Sequence, residues 1–114
     1  MTDCLFCKII AGEIPSDKVY EDEHVYAFRD INPAAPLHVL IVPKKHIAMI
    51  NDVEDEDAEI MGRLFIAAKK ISKELGVADD GYRVVMNCGE GAGQTVFHVH
   101  LHLLARRELT WPPG

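Results

Sequence analysis

His98-Val99-His100-Leu101-His102-Leu103-Leu104 alternates imidazoles with apolar side chains. Successive side chains of a β-strand point to opposite faces. Read as part of a strand running from Phe97 to Leu104, the segment turns Val99, Leu101 and Leu103 toward a core. All three histidines then share the other face, spread over roughly 13 Å at ~3.3 Å per residue. Packing alone gives no reason to collect three imidazoles there. The residues admit a solvated face rich in histidine, a three-histidine metal site, or a site that uses imidazole as a nucleophile.

The residues just upstream favour the last reading. Asn87, Gly91, Gly93, Gln94 and Thr95 form a glycine-rich approach to the strand. Glycine permits positive φ and close backbone approach. Backbone amides and the Thr95 hydroxyl can together cradle an anion such as phosphate. A glycine loop alone is weak evidence, but one that feeds a His-x-His-x-His strand points to phosphate chemistry.

Outward from this segment, Cys4 to Ala11 reads as a short helix closed by Gly12. Val19-Tyr20 and Val25 to Phe28 read as strands around an Asp22-Glu23 turn. Asn32 to Pro36 is a stiff loop, and His38 to Val42 a central strand stopped by Pro43. Asp52 to Leu75 reads as one long helix with Met61, Leu64, Phe65, Ala68, Ile71 and Leu75 on its apolar stripe. Its acidic start and basic end match the helix dipole, which makes the acidic run a solvated helix start. Tyr82 to Asn87 is a further strand. Five strands, one long helix and one short helix without βαβ alternation predict an α+β fold with a mostly antiparallel sheet, as a single domain over residues 1–114.

Composition narrows the function. At 114 residues, 48% hydrophobic and 26% charged, the chain is an ordinary globular domain and not a disordered one. Twelve Lys and Arg against 18 Asp and Glu give −6, a poor match to a nucleic-acid backbone. Apolar runs such as Val39 to Val42 are far short of the ~20 residues of a membrane span. No basic segment followed by an apolar one opens the sequence, so the cytoplasm is the expected compartment. Three cysteines, an odd count, read as reduced thiols, with Cys88 a buried strand-end residue. Cys4 and Cys7 form a C-x-x-C pair, open to half a metal site, a redox couple or two buried thiols.

On these motifs the sequence resembles the histidine triad (HIT) superfamily, in particular its nucleotide-binding, purine nucleoside phosphoramidase branch. The pattern His-φ-His-φ-His-φ-φ is matched in full by His98 to Leu104. Gly93-Gln94-Thr95-Val96-Phe97, Asp30-Ile31, Ala35-Pro36-Leu37-His38, Pro43-Lys44-Lys45-His46-Ile47 and Trp111-Pro112-Pro113-Gly114 also match, so the resemblance spans essentially the whole chain. The final tetrapeptide points to this branch. Thr95 departs from the serine of many relatives, keeping the hydroxyl and adding a methyl group.

The resemblance implies a HIT-like five-stranded sheet and a hydrolase that cleaves the P–N bond of purine nucleoside 5′-monophosphoramidates, AMP- or GMP-type conjugates. It makes His100 the nucleophile. A cationic His102, Thr95 and backbone amides would hold the phosphoryl oxygens, and His38 would orient His100 and pass protons; from the residues alone His38 is equally a hydrogen-bonded core histidine. Asp30 would take the ribose hydroxyls. Phe6, Ile9, Phe28, Ile31 and Leu40, otherwise ordinary core residues, would form the base slot. Asn87, Gly93, Gln94, Thr95 and Val96 would approach the phosphate. The resemblance adds His46 and His98 to Cys4 and Cys7 as a structural zinc set, with no cofactor needed for the chemistry. It also implies a homodimer whose Trp111 tail reaches the partner's site, the alternative being a frayed terminus. Competing activities are hydrolysis of dinucleoside polyphosphates or other nucleotidyl compounds, and a nucleotide-responsive scaffold with incidental hydrolysis.

Overall fold

A computed structural model describes residues 3–114. The first element is α1 (Leu5–Ile10), whose N-cap is Cys4, its Sγ accepting the Cys7 amide at 3.3 Å. Gly12, at φ +82°, turns the chain away from the helix axis. Strands β1 (Lys18–Glu21) and β2 (Val25–Arg29) follow. The turn between them is built on the Asp22 carboxylate, which accepts the amides of His24 and Val25 at 2.8 Å and the Tyr20 hydroxyl at 2.7 Å. Then come β3 (Leu37–Pro43), α2 (Ala58–Glu74), β4 (Tyr82–Val85) and β5 (Leu101–Ala105). The five strands form one sheet in the order β1-β2-β3-β5-β4, and each neighbouring pair is antiparallel. This is the α+β architecture expected from the sequence.

Strand β3 sits at the centre of the sheet and is buried along its whole length. Its alternate residues serve two cores. Leu37, Val39 and Ile41 join Leu101, Leu103 and Ala105 of β5 and pack under α2 through Leu64, Ala67, Ala68 and Ile71. Leu40 and Val42 join Tyr26 and Phe28 of β2 and are covered by Phe6 and Ile9 of α1. The six-residue helix adheres through those two side chains, each worth ~1.5–3 kcal/mol when buried. The long helix insulates one face of the sheet, and the short helix leaves room on the other.

Three boundaries differ from the sequence expectation by two residues or more. The helix expected from Asp52 begins as two 3-10 turns, Ile50–Asp52 and Asp55–Asp57, before α2 starts at Ala58. Asp57 is not a solvated helix-start residue: it is buried, pairs with Lys45 and accepts the Glu54 amide at 2.9 Å. Phe65 is 54% exposed and Ala67 takes the inward position, because Leu64, Ala67, Ala68 and Ile71 hold the i, i+3, i+4, i+7 line and Phe65 lies 100° round from Leu64. Finally, β5 starts at Leu101 and not at Phe97. Continuing the β3–β5 register would set Val99 opposite Pro43, which has no N–H to give the ladder. Strand β4 pairs from Tyr82 opposite Ala105 to Val85 opposite His102 and ends there, short of Asn87.

Candidate active site and metal centre

The residues from His98 to His102 therefore do not form one uniform strand face. His102 stands in the ladder opposite Leu40. His100 and His98 precede it, buried at 7% and 0% exposure. Each ring is fixed by a partner that leaves one protonation pattern. His100 Nδ1 lies 2.7 Å from the His98 carbonyl, which only accepts, so Nδ1 carries the proton and Nε2 keeps its lone pair. Phe6 meets this ring edge-to-face at 5.0 Å, and the His102 ring lies 4.9 Å away. Burial pushes the His100 pKa below the ordinary imidazole value, favouring the neutral form.

His38 partners His102, not His100 as expected from the sequence. The Ala34 amide donates to His38 Nδ1 at 2.9 Å, so the His38 proton sits on Nε2. That N–H faces His102 Nδ1 at 2.9 Å, with Asp30 Oδ2 at 3.5 Å. His102 Nδ1 is then an acceptor, and its proton sits on Nε2. Burial holds His102 down at about 4, so it is a neutral donor near pH 7 and not the expected cation. With Nδ1 occupied by a backbone amide, His38 cannot take a second proton. It orients, and does not relay.

A cavity of about 310 Å³ opens between α1 and the sheet. That falls at the small end of the ~300–1,000 Å³ of small-molecule sites. Phe6, Ile9, Phe28 and Leu40 wall it, Ile31 lies at its rim at 91% exposure, and Asp30, Thr95, Val96, His100 and His102 line it. The Asn32 amide donates to Asp30 Oδ1 at 2.8 Å and sets the carboxylate's orientation.

Residues 11–109 match the HIT domain. The chain belongs to the HIT family. It is 50% identical over 107 residues to the purine nucleoside phosphoramidase of Escherichia coli K12, covering 94% of this chain and 90% of that protein. An uncharacterized HIT-like protein of Synechocystis is 47% identical over 98% of this chain and 97% of its own. The crystal structure of a HIT family hydrolase from Legionella pneumophila superposes with a TM-score of 0.96 at 56% identity, covering 98% of this chain and all of that one.

Within this HIT domain the glycine loop is braced more than it is open. Gly89 and Gly93 take φ +88° and +95° around a 3-10 turn at Glu90–Ala92. Buried Gln94 accepts the Gly89 amide at 2.8 Å and donates to the Ala48 and Val96 carbonyls at 2.8 and 3.1 Å. The amides of Ala92, Gly93 and Gln94 are likewise bound inside the loop. Gly93 and Gln94 thus shape the loop that carries Thr95 and Val96 to the cavity. The Asn87 side chain reaches this loop, its Nδ2 3.9 Å from where a Cβ would stand on Gly93, and Asn87 also borders a cavity of about 530 Å³ with Arg83, Trp111 and Pro113. Sequence reading misses Ile14, Pro15, Ser16, Asp17 and Arg29, which complete the wall around the nucleoside-sized space. For Ile14 to Asp17 the signal is topological, since the chain leaving α1 crosses this mouth to reach β1; Arg29 comes with the end of β2.

The ligating atoms of Cys4, Cys7, His46 and His98 lie within 4.8 Å of one another. His46 Nδ1 and His98 Nδ1 are 3.3 Å apart. The Cys4–His98, Cys7–His46 and Cys7–His98 sulfur–nitrogen distances are 3.4, 3.4 and 3.6 Å. Tetrahedral bonds of ~2.0–2.1 Å to nitrogen and ~2.3 Å to sulfur require edges of about 3.4 Å and about 3.6 Å. The four residues therefore fit a zinc-sized ion. His98 Nε2 donates to the Pro43 carbonyl at 2.8 Å, which leaves Nδ1 as the ligating lone pair. Burial, with the neighbouring Cys4 thiol, pushes Cys7 up to about 11, so ion binding must displace its proton. Among the described residues no helix is long and apolar enough to cross a membrane.

Proposed function

We propose that this HIT protein hydrolyses the P–N bond of purine nucleoside 5′-monophosphoramidates. The observation that carries the reading is the His100 ring, whose Nδ1–H is spent on the His98 carbonyl while Nε2 keeps its lone pair in a ring that lines the nucleoside-sized cavity. Identity of 50% to a purine nucleoside phosphoramidase supports the choice of substrate. The purine lies among Phe6, Ile9, Phe28, Ile31 and Leu40, and the ribose hydroxyls donate to Asp30.

His100 Nε2 attacks the α-phosphorus and forms a P–N bond to the ring. The bond to the amine breaks, its electron pair stays on the amine nitrogen, and that nitrogen takes a proton. Thr95 O–H and His102 Nε2–H donate to the phosphoryl oxygens as charge develops. Water then attacks phosphorus, His100 departs with its lone pair restored, a proton is released, and the nucleoside monophosphate leaves. Cys4, Cys7, His46 and His98 would hold zinc. Four protein ligands leave no open coordination position, so the ion supplies structural cross-linking.

We also read the chain as a homodimer. Trp111 is 81% exposed in the single chain, and Arg83 ties the preceding Leu109 and Thr110 carbonyls to the sheet at 3.2 and 3.0 Å. An indole presented this way is suited to a partner subunit's site. The activity is tested by comparing adenosine 5′-phosphoramidate with a diadenosine polyphosphate. Higher kcat/KM on the phosphoramidate is expected; preference for the anhydride replaces the reading with its competitor, and nucleotide binding without hydrolysis of either favours a scaffold.

A further inference from the structure

Phe6 walls the cavity and also stands at a junction with the cysteine–histidine cluster. It sits in α1 between Cys4 and Cys7. Its ring meets Phe28 of the cavity wall at 5.5 Å, the His100 ring at 5.0 Å and the His98 ring at 6.0 Å, all edge-to-face. One side chain thus touches the base slot, the nucleophile and a ligand of the four-residue cluster. A second connection runs along the backbone: His98 offers Nδ1 to the cluster while its carbonyl holds His100 Nδ1–H. Ile9, on the same short helix, also lines the cavity.

Helix α1 has only six residues, too few to be stable alone. Its position depends on its two apolar contacts and on whatever holds its cysteines. An ion bridging Cys4 and Cys7 to His46 and His98 would clamp the helix to the segment that precedes β5. A nucleoside in the cavity would contact the same helix through Phe6 and Ile9. Each ligand therefore finds part of the ordering cost already met when the other is bound.

We propose that the cysteine–histidine cluster and the nucleoside cavity are thermodynamically linked through Phe6, which acts as a positioning residue, so that zinc tightens nucleoside binding and a nucleoside tightens zinc. The inference rests on the nucleoside reading of the cavity. Linkage makes the two effects equal in size.

The test uses the full chain loaded with zinc. Zinc affinity is measured by competition with a chromophoric chelator, with and without saturating adenosine, after calorimetry has established that adenosine binds. Adenosine is expected to raise zinc affinity by about fivefold or more, the lower end of ordinary coupling. Calorimetry on zinc-loaded and zinc-depleted protein should return the same factor for adenosine. In Phe6→Leu, which leaves all four ligating residues in place, most of the factor should disappear. Unchanged zinc affinity at saturating adenosine overturns the linkage while leaving the nucleoside reading intact, as does a protein that takes up no zinc. An undiminished factor in Phe6→Leu overturns the route through Phe6. Failure of adenosine to bind at all removes the nucleoside reading and the linkage with it.

Discussion

His100 gives its Nδ1 proton to a carbonyl 2.7 Å away, and the consequence falls on the ring's other nitrogen. Rotation or tautomer exchange would break a charge-neutral hydrogen bond in a buried setting, at about 1–3 kcal/mol. Burial also disfavours the imidazolium, so the neutral nucleophile persists to lower pH than in a free imidazole. His102, held at about 4, follows the same rule. A profile of kcat/KM against pH should thus stay level through the ordinary histidine range and fall only in more acidic solution; a limb centred near ~6.5 would mark an imidazole in contact with bulk water. His38 acts one step behind, through its Nε2–H on His102. His38→Ala should lower kcat by roughly five- to 150-fold, the kinetic equivalent of that ~1–3 kcal/mol bond, with the helical content of the circular dichroism spectrum retained.

Two helices of unequal length divide the labour. Helix α2 covers one sheet face, and Leu64→Ala at its fully buried centre should cost ~2–5 kcal/mol in urea denaturation. The span from Cys4 to Ile9, α1 with its N-cap, carries three cavity-lining residues, Leu5, Phe6 and Ile9, and two cluster residues, Cys4 and Cys7. Cys7→Ser should lower zinc content from one ion per chain to less than that, measured by metal analysis, and lower the thermal midpoint of the zinc-loaded preparation. Because the Cys7 thiol stands near 11, zinc must expel its proton, and zinc affinity should weaken as pH falls. Pattern makes most of this level legible in sequence: alternation exposes β5, short apolar runs expose β2 and β3, and the i, i+3, i+4, i+7 spacing exposes α2. What pattern leaves out is pairing. Nothing in the order of residues says that Pro43 would halt the β5 ladder, that Ala34 would occupy His38 Nδ1, or that Gln94 would turn inward to brace its own loop. Such features depend on atoms far apart in the chain, and they account for the partner His38 takes and for the bracing role of Gln94.

At the scale of the whole molecule the layers explain why one face is left for chemistry. The long helix seals one side of the sheet, so every cavity residue discussed comes from the other side or from its edge. The exposed Trp111 and Phe65 are surplus to a single chain's own packing, and the dimer reading gives the tail a destination. Sedimentation equilibrium should return about twice the 12.7 kDa chain mass; a monomer at micromolar concentration would leave Trp111 without its proposed partner. All of this converges on one imidazole nitrogen and one phosphorus. The most direct measurement is intact-protein mass spectrometry after acid-free rapid quench of the enzyme with adenosine 5′-phosphoramidate. The account predicts a transient adenylyl adduct that maps to His100 and is absent from His100→Ala, which also loses turnover. Adduct on another residue, or undiminished turnover by His100→Ala, would contradict it.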